Sequence, residues 1–152
     1  MVKIFLVEDD PLMVRMYEKA FRLHGYEVEL AFNGEEAIAK LEVVQSKPTL
    51  ILLDIMMPKL SGFDVLRHMK ADAKLKGIPV VVLTNLAGRE DAEKALALGA
   101  VLYLVKSQYD PKDVVAKVEE VLAGYNRTES IPDVKVKVKD IPVEKGKKGG
   151  ER

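Results

Sequence analysis

Five short apolar runs alternate along the chain with longer segments in which apolar residues recur every three to four positions. The runs are Val2–Val7, Glu27–Phe32, Thr49–Leu53, Ile78–Leu83 and Ala100–Val105. Most are apolar nearly throughout, which fits strands buried on both faces of a parallel sheet. The second run carries Glu27 and Glu29 in alternation, as expected of an edge strand.

The segments between the runs read as helices. Over Pro11–His24, Met13, Met16, Tyr17, Ala20 and Leu23 fall near one face, and Gly25 is a natural stop. Asn33–Gln45 starts with an asparagine followed three positions on by Glu36, a capping-box pattern. Phe63–Ala73 follows Ser61-Gly62, and Gly88–Leu98 ends at Gly99. Asp110–Ala123 opens Asp-Pro, with proline at the first helical position.

Strict strand–helix alternation predicts an α/β chain of the (βα)5 type. A parallel sheet lies between two helical layers, joined by right-handed crossovers. With the second strand at an edge, the flavodoxin-like order 2-1-3-4-5 is the expected one. The composition shifts after about Tyr125. Residues 127–152 carry eight basic and five acidic residues, a net +3 against −3 for the body. The expected division is a domain over residues 1–125 and a basic extension over 126–152. That extension is read as largely disordered, or as one added strand formed by the alternating Lys135–Lys139.

Composition removes several kinds of chemistry. There are no cysteines and only two histidines, His24 and His68, so thiolate catalysis and zinc–cysteine sites are excluded. Basic and acidic residues balance at 24 each, which gives no electrostatic footprint for nucleic acid or an anionic membrane. No apolar run reaches the roughly 18 residues of a membrane span, and the expected location is the cytoplasm.

Ligands of open parallel α/β sheets bind beyond the carboxyl ends of the strands. Standing there are Glu8, Asp9 and Asp10 after the first strand, Asp54 after the third, Thr84 after the fourth and Lys106 after the fifth. Carboxylates gathered this closely repel unless a cation sits among them, and oxygen-only donors suit Mg²⁺. An aspartate beside such an ion can accept a phosphoryl group, a transfer that needs mainly positioning and charge stabilisation. Each residue also has a plain alternative. Asp10 before Pro11 is a good helix N-cap, and a single lysine is most often a surface charge. The joint placement on four strand ends is what favours chemistry.

In order and spacing, VEDDP (Val7–Pro11), LLDIMMPKLSG (Leu52–Gly62), VVLTN (Val81–Asn85), ALALGA (Ala95–Ala100) and YLVK (Tyr103–Lys106) resemble the receiver domain of bacterial two-component response regulators. The likeness is to the stand-alone, chemotaxis-regulator type and covers about Met1–Tyr125. It implies that Asp54 is the phosphoacceptor, supplied by a sensor histidine kinase or a phosphotransfer protein. It implies that Asp9, Asp10, Asp54 and the main-chain carbonyl of Met56 hold Mg²⁺. Lys106 and Thr84 would contact the phosphoryl group. Thr84 and Tyr103 would form the switch pair, the ring rotating inward to reshape the face of helix 4, strand 5 and helix 5. That face would serve for weak dimerisation or an unknown downstream protein target.

With only 27 residues after Tyr125, no output domain is expected, hence no direct DNA binding and no membrane partner. The family's lysine is usually followed by proline, often through a cis bond. Here Ser107 follows, and a cis bond without proline costs about 2.5–4 kcal/mol, so the family geometry is least expected to carry over at this loop. The threonine, commonly followed by alanine, is followed by Asn85. Competing readings are a haloacid-dehalogenase-type phosphohydrolase and a receiver-like binding module that is never phosphorylated. The first needs an acid two residues beyond the nucleophile, where this chain has Met56. A nucleotide-binding flavodoxin-like protein is disfavoured because the acidic, glycine-free first loop repels phosphate.

Overall fold

The structure is a computed structural model and describes residues 2–43 and 47–125. The elements run in chain order as β1 (Lys3–Val7), α1 (Pro11–Leu23), β2 (Glu27–Ala31), α2 (Gly34–Val43), β3 (Leu50–Leu53), α3 (Gly62–Ala71), β4 (Val80–Thr84), α4 (Arg89–Ala97), β5 (Leu102–Val105) and α5 (Pro111–Tyr125). The five strands are all parallel, in the order β2-β1-β3-β4-β5. This is the expected topology. The Lys135–Lys139 segment lies outside the described residues.

Strand parity assigns side chains to layers, because successive residues point to opposite faces. Ile4, Leu6, Leu50, Leu52, Val81, Leu83, Leu102 and Leu104 pack on Val14, Tyr17 and Phe21 of α1 and on Val114, Val115, Val118 and Val121 of α5. Phe5, Val7, Ile51, Leu53, Val80, Val82 and Tyr103 pack on α2, α3 and α4, among them Ala37, Leu41, Leu66, Met69, Ala92 and Ala95. All four residues of β3 are wholly buried. Each such leucine contributes roughly 1.5–3 kcal/mol relative to exposure, so the strand that carries Asp54 is the best anchored in the sheet.

Local chemistry sets the ends. Asp10 caps α1, its Oδ1 accepting the Leu12 N–H at 3.0 Å, and Pro11 occupies the first turn. Gly25 leaves that helix with φ +88°, a conformation glycine adopts without strain. Asn33 Oδ1 accepts the Glu36 N–H at 2.7 Å, as the capping pattern predicts. The Glu36 carboxylate, however, accepts the Phe32 N–H at 2.8 Å. Ser61 and Asp64 make the reciprocal capping box of α3. The strands β4 and β5 start two residues later than the apolar runs, because Ile78 and Ala100 instead take part in turn bonds to Leu75 and Ala95.

Candidate phosphoacceptor site

The carboxyl ends of β1, β3 and β5 bring three charged side chains into contact. The Lys106 ammonium donates to Glu8 Oε1 at 2.7 Å and to Asp54 Oδ2 at 3.1 Å. All three side chains are buried, Glu8 to 2% and Lys106 to 7% exposure. The remaining oxygens are also used: Glu8 Oε2 accepts the Asp10 N–H at 3.1 Å and Asp54 Oδ1 the Met56 N–H at 3.2 Å. Burial, then the Asp54 charge, push the Glu8 carboxyl above its usual range, and Lys106 offsets only part of this. For Lys106, burial works against the charged form. The Asp54 and Glu8 carboxylates outweigh it and hold the ammonium above the ordinary lysine value.

Oxygens of Glu8, Asp9 and Asp54 lie within 4.8 Å of one another. Three carboxylates at that separation form an oxygen-only donor set of the kind Mg²⁺ takes. Asp10 is not in this group. Its carboxylate is exposed and occupied in capping α1, and the acidic side chain that stands with Asp9 and Asp54 is Glu8. β1 explains the difference. Its extended backbone continues through Glu8, whose N–H donates to the Ala31 carbonyl at 3.0 Å. The chain turns only afterwards, which leaves Asp9 and Asp10 exposed.

Thr84 and Tyr103 are joined through one peptide. Thr84 Oγ1 accepts the Leu86 N–H at 3.3 Å, and the Tyr103 hydroxyl donates to the Leu86 carbonyl at 2.8 Å. The Tyr103 ring is fully buried, so it already occupies the inward position that the resemblance assigns to the switched state. Burial, then the charges of Asp91 and Asp54, push its phenol well above the usual range. The role of Leu86 was not legible in the sequence, because main-chain donors and acceptors leave no side-chain signature. Met56 presents its side chain half-exposed beside Asp54. Gly62 backs directly on the acceptor: its N–H donates to the Ile55 carbonyl at 2.9 Å, and a Cβ there would collide with the Asp54 carbonyl. After Lys106 the chain forms a single 3₁₀ turn over Lys106–Gln108, and there is no cis peptide bond among the described residues.

A parallel α/β sheet with an acidic group, a threonine and a lysine on its carboxyl edge defines a receiver-type fold. Residues 4–119 match the model of the response regulator receiver domain, and the chain belongs to that family. Curated relatives include the DNA-binding dual master transcriptional regulator RpaA of Synechocystis sp., 34% identical, the match covering 87% of this chain and 52% of that protein. The DNA-binding response regulator MtrA of Mycolicibacterium smegmatis is 33% identical, with 99% and 64% covered. Among solved structures, the phosphorylated cyanobacterial phytochrome response regulator RcpA superposes with TM-score 0.71 at 33% identity, covering 87% of this chain and 99% of that one. Chemotaxis response regulator CheY4 of Vibrio cholerae gives TM-score 0.73 at 29% identity, with 80% and 98% covered.

The family consists of phosphorylation-dependent switches of two-component signalling, not of classical enzymes, and receiver domains bind Mg²⁺ at an acidic pocket. The chain spans about half the length of the first curated relatives it matches. Two of the matched relatives, RpaA and MtrA, are DNA-binding regulators, which overturns the expectation of no direct DNA binding. Balanced charge on a receiver domain is no guide to nucleic-acid binding, because the matched relatives extend well beyond the receiver part. Among the described residues, no helix is long and apolar enough to cross a membrane.

Proposed function

We propose that this domain accepts a phosphoryl group on Asp54 from a phosphohistidine of a histidine kinase, and that the new charge reshapes the face formed by α4, β5 and α5. The observation that carries the reading is the Lys106 ammonium, buried between Asp54 at 3.1 Å and Glu8 at 2.7 Å. An Asp54 oxygen forms a bond to phosphorus as the bond from phosphorus to the donor nitrogen breaks, and the departing imidazole takes a proton from solvent. Lys106 holds the Asp54 side chain in place beforehand, then tracks the added charge as a point-charge partner of a phosphoryl oxygen.

Glu8, Asp9, Asp54 and the main-chain carbonyl of Met56 would hold Mg²⁺. Bound there, it supplies positive charge that offsets phosphoryl oxygens. The Thr84 hydroxyl exchanges its Leu86 contact for a phosphoryl oxygen. Because Tyr103 is already inward, the signal passes through the Leu86 segment between β4 and α4 rather than through entry of the ring.

Acceptance is self-catalysed and loss of the phosphoryl group slow. The Met56 thioether, two residues beyond the acceptor, moves no proton, so an incoming water has no base of the phosphohydrolase kind. A cytoplasmic location belongs to the same reading. Incubation with acetyl phosphate and Mg²⁺ should add the mass of one phosphoryl group to the chain, and none to Asp54→Asn. An unchanged mass with every phosphodonor tried would refute the proposal. Sustained phosphatase turnover that is lost in Asp54→Ala would replace it with hydrolysis.

A further inference from the structure

At one edge of the sheet, β2 pairs only with β1, and such an edge is an open template for another strand. The Glu27 N–H donates to the Val2 carbonyl and the Ala31 carbonyl accepts from Glu8. Glu27, Glu29 and Ala31 therefore turn their peptide groups toward β1. By the alternation of a parallel ladder, Val28, Leu30 and Phe32 turn theirs outward.

Side chains from both helical layers meet those outward groups. Arg22 of α1 donates through Nη2 to the Val28 carbonyl at 3.0 Å. Lys40 of α2 donates through Nζ to the Leu30 carbonyl at 2.6 Å. Each cation is held by a glutamate one turn earlier on its own helix: Glu18 lies 3.0 Å from Arg22 Nε, and Glu36 lies 3.1 Å from Lys40 Nζ. Glu36 also takes the third outward group, the Phe32 N–H. Three successive outward positions are thus met from α1 and α2, which lie on opposite faces of the sheet.

We propose that Arg22 and Lys40 close the β2 edge to strand addition. The closure has a specific adversary in this chain. Lys135–Lys139 reads Lys-Val-Lys-Val-Lys, and β2 reads Glu-Val-Glu-Leu-Ala. Alternating lysines opposite Glu27 and Glu29 would make favourable cross-strand charge pairs. A pair of β2 strands from two copies would instead bring glutamates together. Each capped carbonyl already holds a side-chain cation on its outward side, so a complementary strand, from the same copy or another, would have to displace Arg22 and Lys40 before it could extend the ladder.

The test uses the full 152-residue chain. Its wild type, Arg22→Ala/Lys40→Ala and the conservative Arg22→Lys/Lys40→Arg forms are monitored by light scattering and amide hydrogen exchange over a range of concentrations. Wild type and the conservative form should keep a constant mass and unchanged β2 exchange. The alanine form, with native circular dichroism, should show exchange at Val28 and Leu30 slowed by about tenfold or more. Slowing with a mass that rises with concentration marks pairing between copies, and slowing at constant mass marks pairing within one chain; both support closure. A folded alanine form with unchanged mass and unchanged β2 exchange overturns the proposal. If the alanine form does not fold, Lys40→Met alone uncovers the Leu30 carbonyl and is judged by the same two readouts.

Discussion

The Lys106 ammonium lies closer to Glu8, at 2.7 Å, than to the acceptor Asp54, at 3.1 Å. One cation therefore balances two buried carboxylates. Removing one member of such a set leaves charge uncompensated. Lys106→Met should lower unfolding stability measured in chelator by about 3 kcal/mol. Added Mg²⁺ should then raise the melting temperature more in the variant than in wild type, because it restores the missing positive charge. Equal Mg²⁺ shifts in the two proteins would contradict the shared-cation arrangement.

Gly62 fixes the back of the acceptor. Alanine there drives a methyl group against the Asp54 carbonyl and the Ile55 backbone. The expected loss is about 1–3 kcal/mol, the usual range for overpacking, together with slower phosphorylation by acetyl phosphate. Denaturant melts and intact-mass time courses measure the two effects on the same sample.

Lys59 has φ +68°, in the left-handed region that costs a side chain roughly 1–2 kcal/mol. Its contact with Glu35, 3.9 Å and mostly exposed, offers little in return. Lys59→Gly should raise the urea midpoint, by a net gain of about 0.5–1 kcal/mol after the entropy cost of glycine. A lower midpoint would mean that the Glu35 contact outweighs the strain.

Tyr103→Phe deletes the donor to the Leu86 carbonyl. A stability loss of about 1–2 kcal/mol is expected. Hydrogen exchange should quicken at the start of α4 and stay unchanged in β1 and β2. Uniform quickening across the sheet would show instead that the hydroxyl supports the whole core.

Glu36 is held below the ordinary glutamate range, chiefly by the Phe32 N–H and with help from Lys40, while burial opposes the shift. A depressed carboxyl contributes stability that is present above its unfolded value, 4.5 here, and lost as pH falls through the folded value. The melting-temperature gap between wild type and Glu36→Gln should therefore be largest near neutrality and shrink below about pH 4.5. A constant gap down to strongly acid pH would remove the charged form of Glu36 from the account.

The strand order and the meeting of Asp54 with Lys106 were legible because they depend on periodicity and on the polar residue that closes each apolar run. The pattern alone places the two side chains together, since parallel strands deliver their carboxyl ends to one edge. The choice among Glu8, Asp9 and Asp10 was less tractable, because three consecutive acids have the same chemistry. The deciding signal was Pro11, which makes the preceding aspartate a helix cap. The tie between Thr84 and Tyr103 through Leu86, and the contacts of Arg22 and Lys40 on β2, depend on main-chain direction. A sequence does not display that direction.

The four-residue strand β3 works as a ruler. Its side chains alternate between the two helical layers, and the count from Leu50 to Leu53 sets the point at which Asp54 emerges beside Lys106. One residue added within that count would exchange Ile51 and Leu52 between layers and turn the acceptor away from its cation. A change of length within Leu50–Leu53 thus displaces the acceptor itself, whereas an apolar replacement there leaves Asp54 at its place beside Lys106.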